Sequence, residues 1–463
     1  MSDPLNSAGF LTLLSGAQQQ LDAGFAHLPE SPAAPLPPEA AAVLAEAATR
    51  MFDNYPYSHP LYAGQMLKPP HPVARAAYAM AMAVNPNNHA LDGGRASSAM
   101  ELEAVAEIAA MFGMPRHLGH LTSSGTIANL EALWIAGQLH PGKAVAASSQ
   151  AHYTHTRISG VLGLPFVAIP VDESNRISLP ALEHLLQTQD IGTVVATLGT
   201  TATGSVDPLD GILVLQKKYG FRIHVDGAYG GYFTLASNLE PAARHAYDSI
   251  AQADSVVIDP HKHGLQPYGC GCVLFRDPAI GRYYKHDSPF TYFTSGALHL
   301  GEISLECSRA GASAVALWST QRLLPLTHGG SFARGLAQGR EAALEFYDRI
   351  AKSSEFFAPA LSPQLDIVFF AAAAATPDLS SALAQSIFDE AAKLGLHLAL
   401  ARLSTALFPL GTWSGNIQIA SESGPAPTVL CLRSVLMKPE HLQWMERIWA
   451  LLEAATTTAK SNR

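Results

Sequence analysis

Hydrophobic and polar positions along the chain follow two different periods, and the switching between them outlines the architecture. Short apolar runs at 144–147, 166–169, 193–198, 222–225, 255–258 and 272–275 have strand character. Between them the apolar residues recur at helical spacing, as in 126–138, where Ile127, Leu130, Leu133 and Trp134 mark a buried side. Strands alternating with helices from about residue 101 to 276 predict an α/β domain with a largely parallel sheet. Beyond Pro325 the pattern changes to a long helix through residue 350, a strand at 366–371 and another helix. Strands near 416–420 and 428–432 and a last helix over 439–454 complete a smaller α+β domain. The expected division is an N-terminal arm over 1–75, a large domain over 76–325 and a small C-terminal domain over 326–463. Five prolines within 28–38 make that part of the arm an irregular connector.

Composition narrows the function classes. With 463 residues, 48% of them hydrophobic, the chain can build a large core and a second one. Lys and Arg total 29 against 38 Asp and Glu, and a net charge of −9 opposes binding to a phosphate backbone, so nucleic acid is not expected as a partner. Four cysteines, Cys270, Cys272, Cys307 and Cys431, are too few for a disulfide scaffold and fit a cytoplasmic setting. The N-terminus lacks the basic start and apolar run of a secretion signal. The greasiest stretches, 76–84 and 368–375, fall short of the roughly 18 apolar residues a bilayer span needs, so no membrane association is expected.

Candidate chemistry concentrates in H-V-D-G-A-Y at 224–229 and V-V-I-D-P-H-K-H-G at 256–264. Asp226 and Lys262 each follow a β-rich run, and loops at the carboxyl ends of parallel strands form the ligand crevice of an open α/β sheet. Taken alone, the pair reads equally well as a structural ion pair. A third segment, L-T-S-S-G-T-I-A-N-L at 121–130, is a small-residue turn opening a helix. There Ser124, Gly125 and Thr126 would aim N–H groups and hydroxyls at an anion, aided by the helix dipole. In isolation that turn is an ordinary N-cap. It is neither a Walker loop nor a dinucleotide fingerprint. Cys270 and Cys272 alternate on one strand face and read as core; no metal site is expected.

Taken in order, T-S-S-G-T-I-A-N, Q-A-H-Y-T-H at 150–155, T-L-G-T-T at 197–201, H-V-D-G-A-Y and D-P-H-K form a set that resembles the fold-type I pyridoxal 5′-phosphate (PLP) enzymes. Within them it is most similar to the group II amino-acid decarboxylases, including the aromatic amino-acid and glutamate decarboxylases. The similarity extends to S-H-P-L-Y at 58–62 and L-E-C-S-R at 305–309. It implies a fold-type I large domain with a mostly parallel mixed sheet. It also implies that Lys262 carries PLP as a Schiff base, that Asp226 holds the ring nitrogen and that His152 stacks on the ring. Ser124, Gly125, Thr126 and His261 match phosphate ligands, Thr201, Ala228 and Asp259 other cofactor contacts, and His59 and Arg309 the substrate side. Arg309 and Arg433 are both candidates for anchoring a carboxylate or supporting the site, and a structural ion pair reads equally well for either. A carboxylate at the ring nitrogen keeps it protonated as an electron sink. A partly desolvated lysine near another cation is expected to have a lowered pKa.

The implied reaction is decarboxylation of an L-amino acid to an amine in a homodimer, with a loop tyrosine as proton donor. Tyr292 in the 283–293 segment is assigned that role, with Phe290 in a rival alignment and Tyr283 and Tyr284 next in line. His155 and His263 are read as structural, although the family usually has a large aromatic residue where His263 stands. A PLP carbon–carbon lyase of the sphingosine-phosphate lyase type, an oxidative-deaminating relative and a non-catalytic PLP-binding protein are the alternatives.

Overall fold

The computed structural model describes residues 7–29, 35–89, 91–285, 303–413 and 427–462. Its larger sheet has seven strands: β1 (Leu118–Thr122), β2 (Ala144–Ser148), β3 (Phe166–Ile169), β4 (Ile191–Thr197), β5 (Arg222–Gly227), β6 (Ser255–Ile258) and β7 (Gly271–Phe275). They lie in the order β1-β7-β6-β5-β4-β2-β3. All neighbours are parallel except at β7, which runs antiparallel to both β1 and β6. The sheet is therefore mixed but mostly parallel. Every residue of β2 and β4 is buried, as expected where helices cover both faces and the strand needs no polar side.

The six expected strands coincide with β2 to β7 to within two residues. β1 carried no apolar run because its sequence is L-G-H-L-T. Its glycine is needed there: a Cβ at Gly119 would lie 2.5 Å from the Leu274 side chain and 2.8 Å from the Val273 carbonyl oxygen on β7. The helix Gly125–Leu139 matches its expected span, yet its buried side includes Ala128, Ala132 and Ala136 beside Ile135, and the three alanines allow close packing on the sheet. Leu133 is buried with them, whereas Ile127, Leu130 and Trp134 are half-buried.

A second sheet is antiparallel, in the order β10-β11-β9-β8, with β8 at Phe356–Phe357, β9 at Ile367–Ala372, β10 at Ala399–Ser404 and β11 at Thr428–Val435. The helices Pro377–Lys393 and Met445–Ser461 cover it, and Leu383, Ile387, Ile448 and Leu452 fill the layer between. The expected strand at 416–420 lies outside the described residues; β10 takes the place beside β11. The last helix is divided at Trp444 into Glu440–Gln443 and Met445–Ser461. Among the described residues no helix is long and apolar enough to cross a membrane.

Candidate active site

The carboxyl ends of five strands converge. β5 ends in Asp226 and Gly227, with Thr197 of β4 and Val257 of β6 beside Asp226 in register. β6 runs into Asp259, Pro260, His261 and Lys262, β1 into Ser123 and Ser124, β4 into Gly199 to Thr201, and β2 into the turn carrying His152. Around them lies a cavity of ~200 Å³ whose walls include Ser124, Gly125, Thr126, His152, Thr201, Asp226, Ala228, Asp259, His261 and Lys262. Ten residues separated by up to 138 positions in sequence thus share one crevice, as the rule for open α/β sheets requires.

One wall is the start of the helix Gly125–Leu139. Ser124 is its cap, and Ser124 Oγ accepts a hydrogen bond from the Ile127 N–H at 3.3 Å. The first N–H groups of a helix have no intrahelical acceptor, so those of Gly125 and Thr126 are available to an anion. Gly125 has no room for a side chain, because a Cβ there would meet the Asp259 carboxylate at 2.5 Å.

Lys262 Nζ lies 3.0 Å from Asp259 Oδ2, and the lysine side chain is 23% exposed. Burial pulls its pKa down, but the charges of Asp259 and Asp226 and the Asp259 hydrogen bond outweigh this and raise it. The expectation of a lowered lysine pKa is therefore corrected: two carboxylates, not a second cation, dominate its surroundings. Asp226 behaves in the opposite sense. Burial favours its neutral form, yet the hydrogen bond and charge of His155 and the Ala228 N–H hold it well below the ordinary carboxylate range. Both oxygens are occupied, Oδ2 by His155 Nε2 at 2.8 Å and Oδ1 by the Ala228 N–H at 3.1 Å.

His152 lines the cavity, accepts the Thr154 N–H at Nδ1 and has its pKa lowered, chiefly by burial. His155, three residues later and wholly buried, is more than the structural residue expected: it is the direct partner of Asp226. The sequence offered one signal, the second histidine in H-Y-T-H, one helical turn from the first. His224 is buried behind them, and burial together with His155 pushes its pKa down to about 3. Being neutral, it donates from Nε2 to Asn129 Oδ1 at 2.7 Å, while Asn129 Nδ2 donates to the Gly125 carbonyl.

Other expected residues lie elsewhere. Arg309 does not line the cavity; its Nη1 donates to Glu101 Oε1 at 2.7 Å and to the Leu121 carbonyl at 2.6 Å, a buried ion pair under β1. His59 is also outside the lining, with its ring 4.9 Å from that of Trp444 and its Nδ1 accepting the Leu61 N–H. Arg433 is fully engaged by the carbonyls of Thr201, Ala202 and Gly64, and so fixes the Thr201 turn. Tyr292 and Phe290 lie outside the described residues. Tyr284 is buried in the core with Trp134 and Phe275. His263 points away from the cavity into a buried contact with Asp366. Cys270 and Cys272 are buried thiols, as expected of core positions.

The fold and crevice define an α/β protein that presents an ammonium, a buried anionic carboxylate and a helix N-terminus to one small ligand. The chain belongs to the pyridoxal-dependent decarboxylase family, whose conserved domain matches residues 73–373. It is 30% identical to an L-tyrosine decarboxylase of Enterococcus faecium over 384 residues, covering 62% of this chain and 63% of that protein. It is 33% identical to an aspartate 1-decarboxylase of Aliivibrio fischeri over 271 residues, covering 52% of this chain and 48% of that protein. The chain thus spans between about half and two thirds of the length of these relatives. Its fold matches that of the Oryza sativa TDC crystallised with PLP and tryptamine, with a TM-score of 0.76 at 18% identity, over 98% of both chains.

The residues present fit pyridoxal phosphate. Two buried polar atoms on the cavity wall, Thr197 Oγ1 and Asp259 Oδ1, have no hydrogen-bond partner among the described residues, as expected of a wall that faces a polar ligand. Lys262 would supply the amine, Asp226 the counter-charge for a ring nitrogen, and the Gly125–Leu139 helix start a seat for phosphate.

Proposed function

We propose that this protein is a PLP-dependent decarboxylase of an L-amino acid, working in the cytoplasm as a homodimer. The observation that carries the reading is the placement of Lys262 and Asp226 on one ~200 Å³ cavity closed by the N-terminus of Gly125–Leu139. Lys262 is the attachment point, and Ser124, Gly125, Thr126 and His261 hold the phosphate. Thr201, Ala228 and Asp259 line the remaining cofactor wall, and His152 packs on the ring. When bound, the cofactor supplies an electron sink for the pair left on the substrate carbon as carbon dioxide departs. Asp226 remains an anion throughout. Tyr292 delivers the proton to the substrate α-carbon, and enclosure of the crevice excludes competing water.

The dimer is supported by the arm. The helix Ala40–Arg50 has no buried residue, and Val43, Leu44, Met51 and Phe52 are 61–82% exposed, an apolar surface that a second copy would cover. The test is incubation of the purified, PLP-loaded protein with a panel of amino acids, with amine identified by mass spectrometry and carbon dioxide counted in parallel. One carbon dioxide per amine is expected. An aldehyde product, or cleavage of a phosphorylated amino alcohol without carbon dioxide, would replace this reading with one of the other PLP reactions.

A further inference from the structure

The Asp226 carboxylate is buried, at 4% exposure, in a site where an unassisted carboxyl group would take up a proton. Three groups contact or face it from behind or beside the cavity. His155, the second residue of the helix Thr154–Leu162, donates Nε2–H to Oδ2 at 2.8 Å. Ala228 N–H binds Oδ1 on the same turn. His224, on β5 itself, is neutral and committed to Asn129 and Ser255, so its ring makes no hydrogen bond to Asp226. On the cavity side stand Lys262, with Asp259 against it, and His152. Lys262 is consumed as an ammonium once it is joined to a cofactor, which leaves His155 as the side chain that holds Asp226 in the loaded protein.

We propose that His155 is a positioning residue that acts through Asp226: its Nε2–H fixes the carboxylate's orientation and keeps it an anion, and so keeps the cofactor's ring nitrogen protonated. This inference rests on the PLP reading. His155 is suited to the task because it is wholly buried, so that no water competes for the contact. Its other ring nitrogen, Nδ1, has no partner among the described residues. The ring therefore has one strong interaction, directed at Asp226, and a mere space-filler would not reproduce it. A buried hydrogen bond to a charged group also resists removal of either partner.

The experiment compares wild type, His155→Gln and His155→Phe, each loaded with PLP labelled with ¹⁵N in its ring. The ¹⁵N chemical shift reports protonation of the ring nitrogen directly, and equilibrium dialysis reports cofactor affinity. Wild type is expected to show a protonated nitrogen across pH 6–9. His155→Phe, which keeps a planar aromatic ring, slightly larger, but removes the donor, is expected to shift the signal toward the unprotonated position and to weaken cofactor binding about tenfold or more. His155→Gln, whose amide can donate to Asp226, is expected to lie between the two. Melting temperatures of the cofactor-free proteins identify a variant that has lost its fold, and the glutamine variant then carries the comparison. An unchanged ¹⁵N shift in both folded variants overturns the role of His155. Absence of any cofactor binding by wild type, with no adduct on Lys262, overturns the PLP reading itself and this inference with it.

Discussion

His263 Nε2 lies 2.8 Å from Asp366 Oδ2, joining the residue that follows Lys262 to the residue that precedes β9 in the smaller sheet. Both are buried, at 2% and 1% exposure, and Tyr229 Oη donates to the other oxygen of the same carboxylate. His263 Nδ1 also faces the Tyr229 carbonyl at 3.0 Å, so the ring is held at both nitrogens. The two sheets are thereby clamped directly behind the lysine loop. Removing the carboxylate leaves two buried donors without an acceptor.

Asp366→Leu is therefore expected to destabilise the protein by roughly 2–5 kcal/mol in urea unfolding, the cost of stranding two buried hydrogen-bond donors, His263 and Tyr229, at about 1–3 kcal/mol each. Cofactor affinity should fall with it, because the Lys262 loop loses its anchor. A loss under about 1 kcal/mol, within the range of an exposed ion pair, would show that the clamp carries no load.

Asp226→Asn preserves shape and removes charge. If the carboxylate supports the electron sink, turnover should fall about 100- to 1,000-fold, as when other preorganised electrostatic groups are removed, while cofactor still binds. Steady-state kinetics on the substrate identified by the amine panel provide the check. Turnover within a few-fold of wild type would place the sink elsewhere.

Acid stability should depend on His224. Its folded pKa of about 3 is below the ordinary histidine value of 6.5, so as pH falls below 6.5 the unfolded chain binds a proton that the folded chain refuses. That group therefore removes stability progressively between pH 6.5 and 3. His224→Gln takes the titration away while retaining a donor for Asn129. The stability of wild type relative to this variant is expected to decrease by on the order of 2 kcal/mol between pH 7 and pH 4.5, measured by urea titration at each pH. A difference that is flat with pH would mean that His224 is not held neutral.

Tyr292→Phe is expected to leave cofactor binding intact and to slow amine formation at least about tenfold, or to divert the product to an aldehyde, since general-acid groups contribute about 100-fold or more. Single-turnover product analysis with carbon dioxide followed in parallel distinguishes these outcomes. Amine formation at the wild-type rate would transfer the role to another residue. Tyr284 would be a poor substitute, given its place in the core.

The strands of the larger sheet were legible because parallel strands covered on both faces are continuous apolar runs, and the chemistry was legible because it sits directly after them. β1 was not, since a glycine and a buried histidine interrupt its pattern for reasons found only on β7 and in the His120–Glu131 pair. β10 escapes the pattern because A-L-A-R-L-S has no β-branched or aromatic residue and carries an arginine, and it gains its identity by pairing with β11. Within the site, motif order located the cavity residues but not their partners. His155 becomes meaningful only when the helix start turns it onto Asp226, 71 residues away. Arg309 looked like an anchor because its ion-pair partner, Glu101, is 208 residues distant.

Attachment of the cofactor to Lys262 is tested most directly by reducing the PLP-loaded protein with borohydride, digesting it and mapping the peptide that retains the cofactor. A yellow protein that bleaches on reduction is expected, with the label on Lys262 and none on Lys262→Ala. Label on another lysine, or an equally labelled Lys262→Ala, would contradict it.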